Sequence, residues 1–401
     1  MDVVVFASAY WDEPLWTNKQ HIAARLAGRG HRVLYVEPGF SRFVLRERLT
    51  GHRGEGPGGV PFSWCGSSRT ESGVQVLSPL CLPLRRGPGP LLSVAWRILA
   101  GWIERSMRGL AFGPSWAYVV YYPEGVRLLS HLRPAVTLYD CVDDIASQPH
   151  IASRPRLAAA VRRAEALLVA RASCVTATSR PLWERRRLEN PCSYYVPNVG
   201  EYAHFARAQE PLAEPQELAA IPRPRVGFVG ALDPYKVDYA SLSALATKAP
   251  ELSLVLAGPA ETAGANAELS RLALLPNVHV LGQWPYRLLP ELLASMDCLV
   301  LPYRLTEHTR FVFPLKFFEF LATGKPVVSA PLESLKEFEG LIPFASSPDR
   351  WPAAVRQELG ADGARREARL ALARQSTWDH RAARIEEILA GHLAGSPPPP
   401  G

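Results

Sequence analysis

The sequence predicts an α/β protein made of two doubly wound, parallel-sheet domains in tandem. Three observations carry that reading. Short, nearly unbroken apolar runs, such as residues 3–7 and 252–258, alternate with helical stretches, and strands covered on both faces read this way. The same alternation restarts at Arg225, after a stretch bearing Glu and Pro. The length, 401 residues, suits two domains, and 47% hydrophobic with 21% charged residues is a globular composition.

In the first half, 3–7 is a strand, 8–19 a loop, 20–28 a helix ended by Gly28 and Gly30, and 31–37 a strand. The loop falls at the carboxyl edge of the sheet, where doubly wound folds place ligands. Its Tyr10, Trp11 and Trp16 are candidates for stacking on an acceptor, or for packing the loop on itself. His21 is a candidate catalytic group or a residue of the helix surface. No GxGxxG follows the strand, so no dinucleotide cofactor is expected. Residues 41–73 are rich in Gly and Arg and read as a mobile excursion. After a strand at 74–80 comes a helix at 91–110. Leu92, Ala95, Leu99, Trp102 and Ile103 share one side of it, and Arg97, Arg105 and Arg108 the other. It could rest on an anionic bilayer with Trp96 and Trp102 at the interface, or pack on its own domain. Strands at 116–122 and 135–139 follow. The second runs into Asp140, Asp143 and Asp144, acids placed to handle acceptor hydroxyls or orient a base, or else to cap a helix. Helices at 157–170 and 181–189 and strands at 173–178 and 194–198 complete a domain over 1–208, with a linker at 209–224.

The second half, 225–394, opens with a strand ending at Gly230. A helix at 238–248 and strands at 252–258 and 278–282 come next. A helix at 288–296 and a strand at 298–303 lead to the loop holding Glu307, His308 and Arg310. Pro314 fits the first position of the next helix and Gly324 its end. Lys316 and Glu319 lie three apart, on one helix face. Strands at 327–330 and 342–345 and helices at 349–359 and 363–393 follow, the last broken near Ser376 and able to pack back on the first domain. Residues 395–401 read as a disordered tail. The carboxyl edges of the two sheets are expected to face each other across a cleft, each holding one substrate.

Net charge is +7 and the isoelectric point about 9.2, but no nucleic-acid motif accompanies the arginines, so no nucleic-acid partner is expected. The six cysteines include no CxxC pair and read as thiols of a reducing cytosol. The start of the chain lacks the basic segment of a signal peptide, and no stretch is apolar for about 18 residues. A cytoplasmic protein is expected, with peripheral contact to an anionic membrane as one option.

Several runs together resemble a known family: Gly227-Phe228-Val229-Gly230 followed by Lys236, Leu254–Pro259, Asp297–Tyr303 and Pro314–Val328 in the second half. In the first half, Gln20–Val33, Tyr139–Asp144 and Val196–Asn198 with His204 and Phe205 are similar. The chain resembles the GT-B glycosyltransferases of the broad retaining family called glycosyltransferase family 4, over nearly its whole length. That resemblance implies two Rossmann-like domains and transfer of a sugar from a nucleotide-diphosphate donor to an acceptor hydroxyl. It implies that Glu319 binds the nucleotide ribose, that Lys236 meets the diphosphate beyond Gly230, and that Lys316 and Arg310 meet phosphate or sugar. The backbone of Phe311, Val312 and Phe313 would donate to phosphate, and Gln283, Trp284 and Tyr286 would hold the base. The chain departs from the family pattern at Phe311, where a glutamate is usual, at Ala231, where an arginine is usual, and at Ser8-Ala9-Tyr10, where a glycine pair is usual. No DxD tripeptide occurs, so metal-independent transfer without a cofactor is expected. The acceptor is expected to be a small molecule or a lipid-linked glycan of envelope or natural-product biosynthesis. A non-catalytic sugar-nucleotide or glycan binder and a sugar-nucleotide epimerase fit the same fold.

Overall fold

The computed structural model describes residues 1–13, 15–38, 67–79, 89–260, 263–361, 363 and 365–400. The chain divides into two compact units, Met1–Pro197 with Trp378–Gly401, and Asn198–Thr377.

The first unit is built on eight strands: β1 (Asp2–Phe6), β2 (Arg32–Val36), β3 (Ser67–Arg69), β4 (Gln75–Leu77), β5 (Ala117–Val120), β6 (Val136–Cys141), β7 (Cys174–Ala177) and β8 (Ser193–Tyr195). Their order is β3-β4-β2-β1-β5-β6-β7-β8. All neighbours are parallel except β3 and β4. All of β1 and β6 is buried, which explains their unbroken apolar character. Most of the expected excursion at 41–73, together with Cys65 and Cys81, lies outside the described residues.

One interaction fixes what belongs to this unit. Asp140, at the end of β6, is fully buried. Arg381 Nη2 donates to both its carboxylate oxygens, at 2.7 and 2.8 Å, and Thr176 Oγ1 donates to Oδ1 at 2.8 Å. Arg381 also donates to the carbonyls of Val196 and Pro197. It sits on the helix Trp378–Leu393, which buries Trp378, Ala382, Ile385 and Leu389, a stripe at helical spacing, against the helix Asn18–Gly28. The last helix therefore belongs to the first unit, which ends the second at Thr377 rather than 394. The tail is not loose either: Tyr194 Oη donates to the Pro398 carbonyl at 2.9 Å, and Ser396 N to that of Gly391. On the helix Gly89–Gly109, Trp96 is 5% exposed and meets the Phe6 ring at 6.1 Å. It is a core residue, not a bilayer anchor, and Trp102 is half-buried. Among the described residues no helix is long and apolar enough to cross a membrane.

The second unit holds β9 (Arg225–Val229), β10 (Ser253–Ala257), β11 (Val278–Gly282), β12 (Cys298–Leu301) and β13 (Val327–Ser329), in the order β11-β10-β9-β12-β13, all parallel. Alternation along β12 feeds two cores: Leu299 and Leu301 pack on one face of the sheet, Cys298 and Val300 on the other. The expected linker at 209–224 is part of this unit. Its composition looks unstructured, but Leu218 and Ile221 pack into the core with Leu292 and Phe317, and Glu214 pairs with Arg225 at 2.7 Å. The unit boundary thus falls at Pro197, not at 208. Pro314 precedes the helix Leu315–Ala322 in an extended conformation instead of opening its first turn.

The Asp140–Arg381 pair yields a test. Removing one partner strands a buried charge, at a cost of about 3–5 kcal/mol. Arg381→Met is expected to lower the unfolding free energy of the first unit in urea by that amount, and the midpoint with it, with Asp140→Asn close behind. An unchanged midpoint accompanied by lost activity would return Asp140 to the chemistry.

Candidate active site

In the second unit the chain runs from β9 outward through β10 to β11, then returns past β9 to lay down β12. The order reverses between β9 and β12, and such a switch point opens a crevice at the carboxyl ends of the strands. The two loops bordering it are laced together. Val237 and Tyr303 form an antiparallel bridge. Arg304 N donates to Lys236 O at 2.7 Å, and Asp238 N to Pro302 O at 2.7 Å. Arg304 Nη1 reaches Pro234 O at 2.9 Å. Lys236 is thereby held at the crevice, its ammonium 5.3 Å from the Tyr235 ring centroid. Gly258 permits the close approach of the neighbouring loop: a Cβ there would lie 1.8 Å from Gly230 O.

The helix Leu315–Ala322 starts just beyond this crevice. Phe317, Phe318, Phe320 and Leu321 are buried, which sends Lys316 and Glu319 to the remaining face. Lys316 Nζ meets Glu319 Oε2 at 2.7 Å, and the Glu319 side chain is only 11% exposed. Lys316 Nζ lies 5.9 Å from the Phe205 ring centroid, and its Cε comes within 3.9 Å of where a Cβ would stand on Gly230. Gly200 lets its segment pass over the same helix, since a Cβ there would come within 3.1 Å of Glu319 N. Tyr286 stacks on His204, with centroids 4.5 Å apart and planes 8° off parallel, while Gln283 is exposed.

Arg310 is exposed on a short turn, its guanidinium 5.7 Å from the Phe311 ring centroid. The turn is clamped by buried Thr309, whose Oγ1 accepts from Thr306 N at 2.9 Å and donates to Arg304 O. Its amides are partly committed. Phe311 N donates to His308 O at 3.4 Å and Val312 N to Thr309 O at 3.2 Å. Of the three amides of 311–313 expected to donate to phosphate, two thus have internal acceptors, and Phe313 N precedes the helix. The Phe311 and Val312 side chains are buried, so a ring faces the core where the family keeps a carboxylate.

In the first unit several expected residues separate from the chemistry. Asp140 is committed to Arg381. Trp11 is 1% exposed, packs edge-on to Tyr35 at 5.1 Å, and donates its backbone N–H to Glu37 at 2.8 Å. It packs the loop and cannot stack on an acceptor. Trp16 donates its indole N–H to Trp11 O at 3.2 Å, and the Tyr10 carbonyl accepts from Gln20 Nε2 at 2.9 Å. Asp144 is held by Arg185 at 3.0 Å. Asp143 keeps a half-buried position near Lys19, whose pKa is lowered by burial against the opposing pull of Asp143, Glu13 and Asp140. His21 stacks on Trp378 at 4.3 Å and 12°, and Arg25 Nη1 stands 3.2 Å from its Nδ1. Burial first, and Arg25 second, push its pKa down to about 3. A neutral imidazole of such low basicity positions groups but is a poor general base near neutral pH.

Sequence reasoning missed Lys19, and it missed His204 and Phe205 as neighbours of the site. Only the likeness of the run holding His204 and Phe205 to the family pattern pointed toward the latter two.

Residues 223–359 match the family model described as glycosyl transferases group 1. This stretch is a group 1 glycosyltransferase domain. It contains Gly230, Lys236, Gln283, Tyr286, Arg310, Lys316 and Glu319. The chain is 31% identical over 160 residues to a Bacillus subtilis (strain 168) protein named as the teichuronic acid biosynthesis glycosyltransferase TuaH. That match covers 38% of this chain and 40% of the relative, so it spans less than half the relative's length. Among solved structures, the sucrose-phosphate synthase of Thermosynechococcus elongatus superposes with a TM-score of 0.69 at 16% identity, covering 98% of this chain and 100% of that one. HepE of Anabaena, in complex with UDP and glucose, superposes with a TM-score of 0.66 at 16% identity, covering 97% and 99%. The fold around the group 1 domain is GT-B.

The depressed pKa of His21 predicts an acid response. Its folded value lies below its unfolded value of about 6.5, so the unfolded chain binds the extra proton. The associated stability is complete above pH 6.5 and is lost as pH falls toward 3, by up to about 1.4 kcal/mol per pH unit. His21→Gln is expected to lose less stability than the parent between pH 6 and pH 4 in parallel denaturation series. Superimposable slopes would contradict the buried neutral ring.

Proposed function

We propose that the protein is a glycosyltransferase that moves a sugar from a nucleoside-diphosphate sugar to an acceptor hydroxyl. The observation that carries this reading is the Lys316–Glu319 pair, enclosed beside the switch point of a group 1 glycosyltransferase domain. Glu319 is suited to accept hydrogen bonds from a ribose diol, with Lys316 holding the carboxylate in place. Lys236, Arg310 and the helix N-terminus at Leu315 supply positive potential for the departing diphosphate, the charge a transition state most needs stabilised. Tyr286, backed by His204, offers a flat surface to the base. The complex of HepE with UDP and glucose supports a donor of this class.

In the reaction we assign, the bond from the anomeric carbon to the phosphate oxygen breaks and a bond to the acceptor oxygen forms. The acceptor proton passes to the leaving phosphate, and the configuration is retained. This route asks for no strong protein base, which accords with the low basicity of His21 and the commitment of Asp140. We assign the charge stabilisation to lysine and arginine instead of a metal ion. The acceptor is assigned to the first unit, with Asp143, Tyr10 and Trp16 its nearest candidates. It belongs to envelope or natural-product glycan synthesis, and the likeness to a protein named for teichuronic acid biosynthesis favours the envelope. The buried thiols Cys141, Cys174 and Cys298 support residence in the cytoplasm.

Glu319→Ala is expected to lower kcat/KM for the donor about 10- to 100-fold, the worth of one hydrogen bond to a charged group, with the thermal midpoint nearly unchanged. Normal turnover by this variant would remove the ribose assignment. In the same assay, activity abolished by chelator and restored by Mg²⁺ would contradict the assignment of charge stabilisation to the side chains.

A further inference from the structure

The first unit has a switch point of its own, between β1 and β5. A cavity of about 880 Å³ opens there, lined by Ala7 and Ser8 after β1, Tyr122 after β5, and Arg127, Arg154 and Arg156. A second hollow of about 430 Å³ shares Arg127 and Ala160 with it and is lined by Trp96, Val126, Ala164 and Leu167. The two therefore adjoin at these residues. The helix Pro155–Arg171 forms one wall of both, because Arg156, Ala160, Arg163, Ala164, Leu167 and Arg171 fall on a single stripe at helical spacing. From Arg156 to Leu167 that stripe runs about 16 Å.

The chemistry changes along this length. At the switch-point end, Arg127, Arg154 and Arg156 gather with His150, and Glu124 is the one carboxylate among the lining residues. Among the described residues Arg127, Arg154, Arg156 and Arg163 form no ion pair with any carboxylate, so their charge awaits an anion. Farther along, Ala160 and Ala164 lie between Trp96, Val126 and Leu167, with Ser130, His131, Arg163 and Arg171 on the same lining. Leu167 is 49% exposed, a large apolar side chain standing in water beside an apolar hollow. Guanidinium groups recognise phosphate by paired hydrogen bonds, and the surface of Trp96, Val126 and Leu167 suits a hydrocarbon chain.

We propose that this groove binds the acceptor, and that the acceptor is an amphiphile: a phosphate or diphosphate head at the arginine end, with a hydrocarbon tail along the helix. The proposal rests on the glycosyltransferase reading and narrows its substrate to lipid-linked glycans. The occupant is chosen by charge complementarity at one end and the exposed apolar surface of Leu167 at the other, along one helix that lines both hollows.

The test is direct binding to the full chain, by titration calorimetry and without donor. Farnesyl diphosphate serves as the probe, with inorganic diphosphate and farnesol as its separate halves. Farnesyl diphosphate is expected to bind at least ten-fold more tightly than either half. The double variant Arg154→Ala/Arg156→Ala should weaken it at least ten-fold. Leu167→Asp should weaken it about five-fold while leaving inorganic diphosphate unchanged. Lys316→Ala, in the other unit, should leave it unaffected. These substitutions are at partly or fully exposed positions, and unchanged thermal midpoints verify the fold. Equal affinity for inorganic diphosphate and farnesyl diphosphate would reduce the groove to a free-anion site and overturn the proposal, as would full affinity in both groove variants. Because no donor is present, such a failure leaves the transferase reading standing. Loss of that reading in the Glu319→Ala assay would in turn leave the measured groove affinity intact.

Discussion

The reversal of strand order between β9 and β12 is the constraint on which the site depends. A parallel sheet buried on both faces leaves its backbone polar groups available only at the strand ends. At the reversal, two loops leave adjacent strands in opposite directions, and the gap between them cannot be filled by either crossover helix. Here the loops are tied by backbone hydrogen bonds around Lys236, Val237, Tyr303 and Arg304. The lysine position is set by main-chain geometry, which costs little further entropy when a ligand binds. The helix carrying Lys316 and Glu319 then presents its one polar face to the same edge, since its phenylalanines are consumed by the core.

Burial and pairing decide which carboxylates take part in chemistry. Asp140, at the end of β6, and Glu319, on the helix Leu315–Ala322, both meet a cation. Asp140 is fully enclosed, with Arg381 and Thr176 taking its oxygens, so it has no capacity left for a substrate. Glu319 has one oxygen on Lys316, and a side chain that remains partly accessible. The first is a structural charge that fastens the C-terminal helix to the N-terminal sheet. The second is a held but available acceptor.

The alternation of strands and helices, the restart near Arg225 and the face shared by Lys316 and Glu319 were legible from residue spacing, because period and polarity are local properties. What failed was long-range. Nothing near Asp140 announces Arg381, which stands 241 positions away, so the acid stood open between a site role and a cap, and the last helix was counted with the second domain while left able to pack on the first. For Trp11 and Trp96 both a ligand or membrane role and plain packing stood open, since sequence position cannot say which side of a loop or helix finds Tyr35 or Phe6. The stretch 209–224 read as a linker by composition, while two well-placed side chains, Leu218 and Ile221, were enough to fold it in. The arginine groove was invisible for the same reason: it joins loops after two strands to a helix stripe from three separated parts of the chain.

The central claim is that a nucleoside-diphosphate sugar binds at the switch point of the second unit. Amide hydrogen exchange with and without a saturating donor such as UDP-glucose tests it most directly. Slowed exchange is expected in 230–238, 304–313 and the first turn of the helix at Leu315, with β1, β5 and β6 unchanged in their interiors. Donor binding with protection absent from these three segments would contradict it.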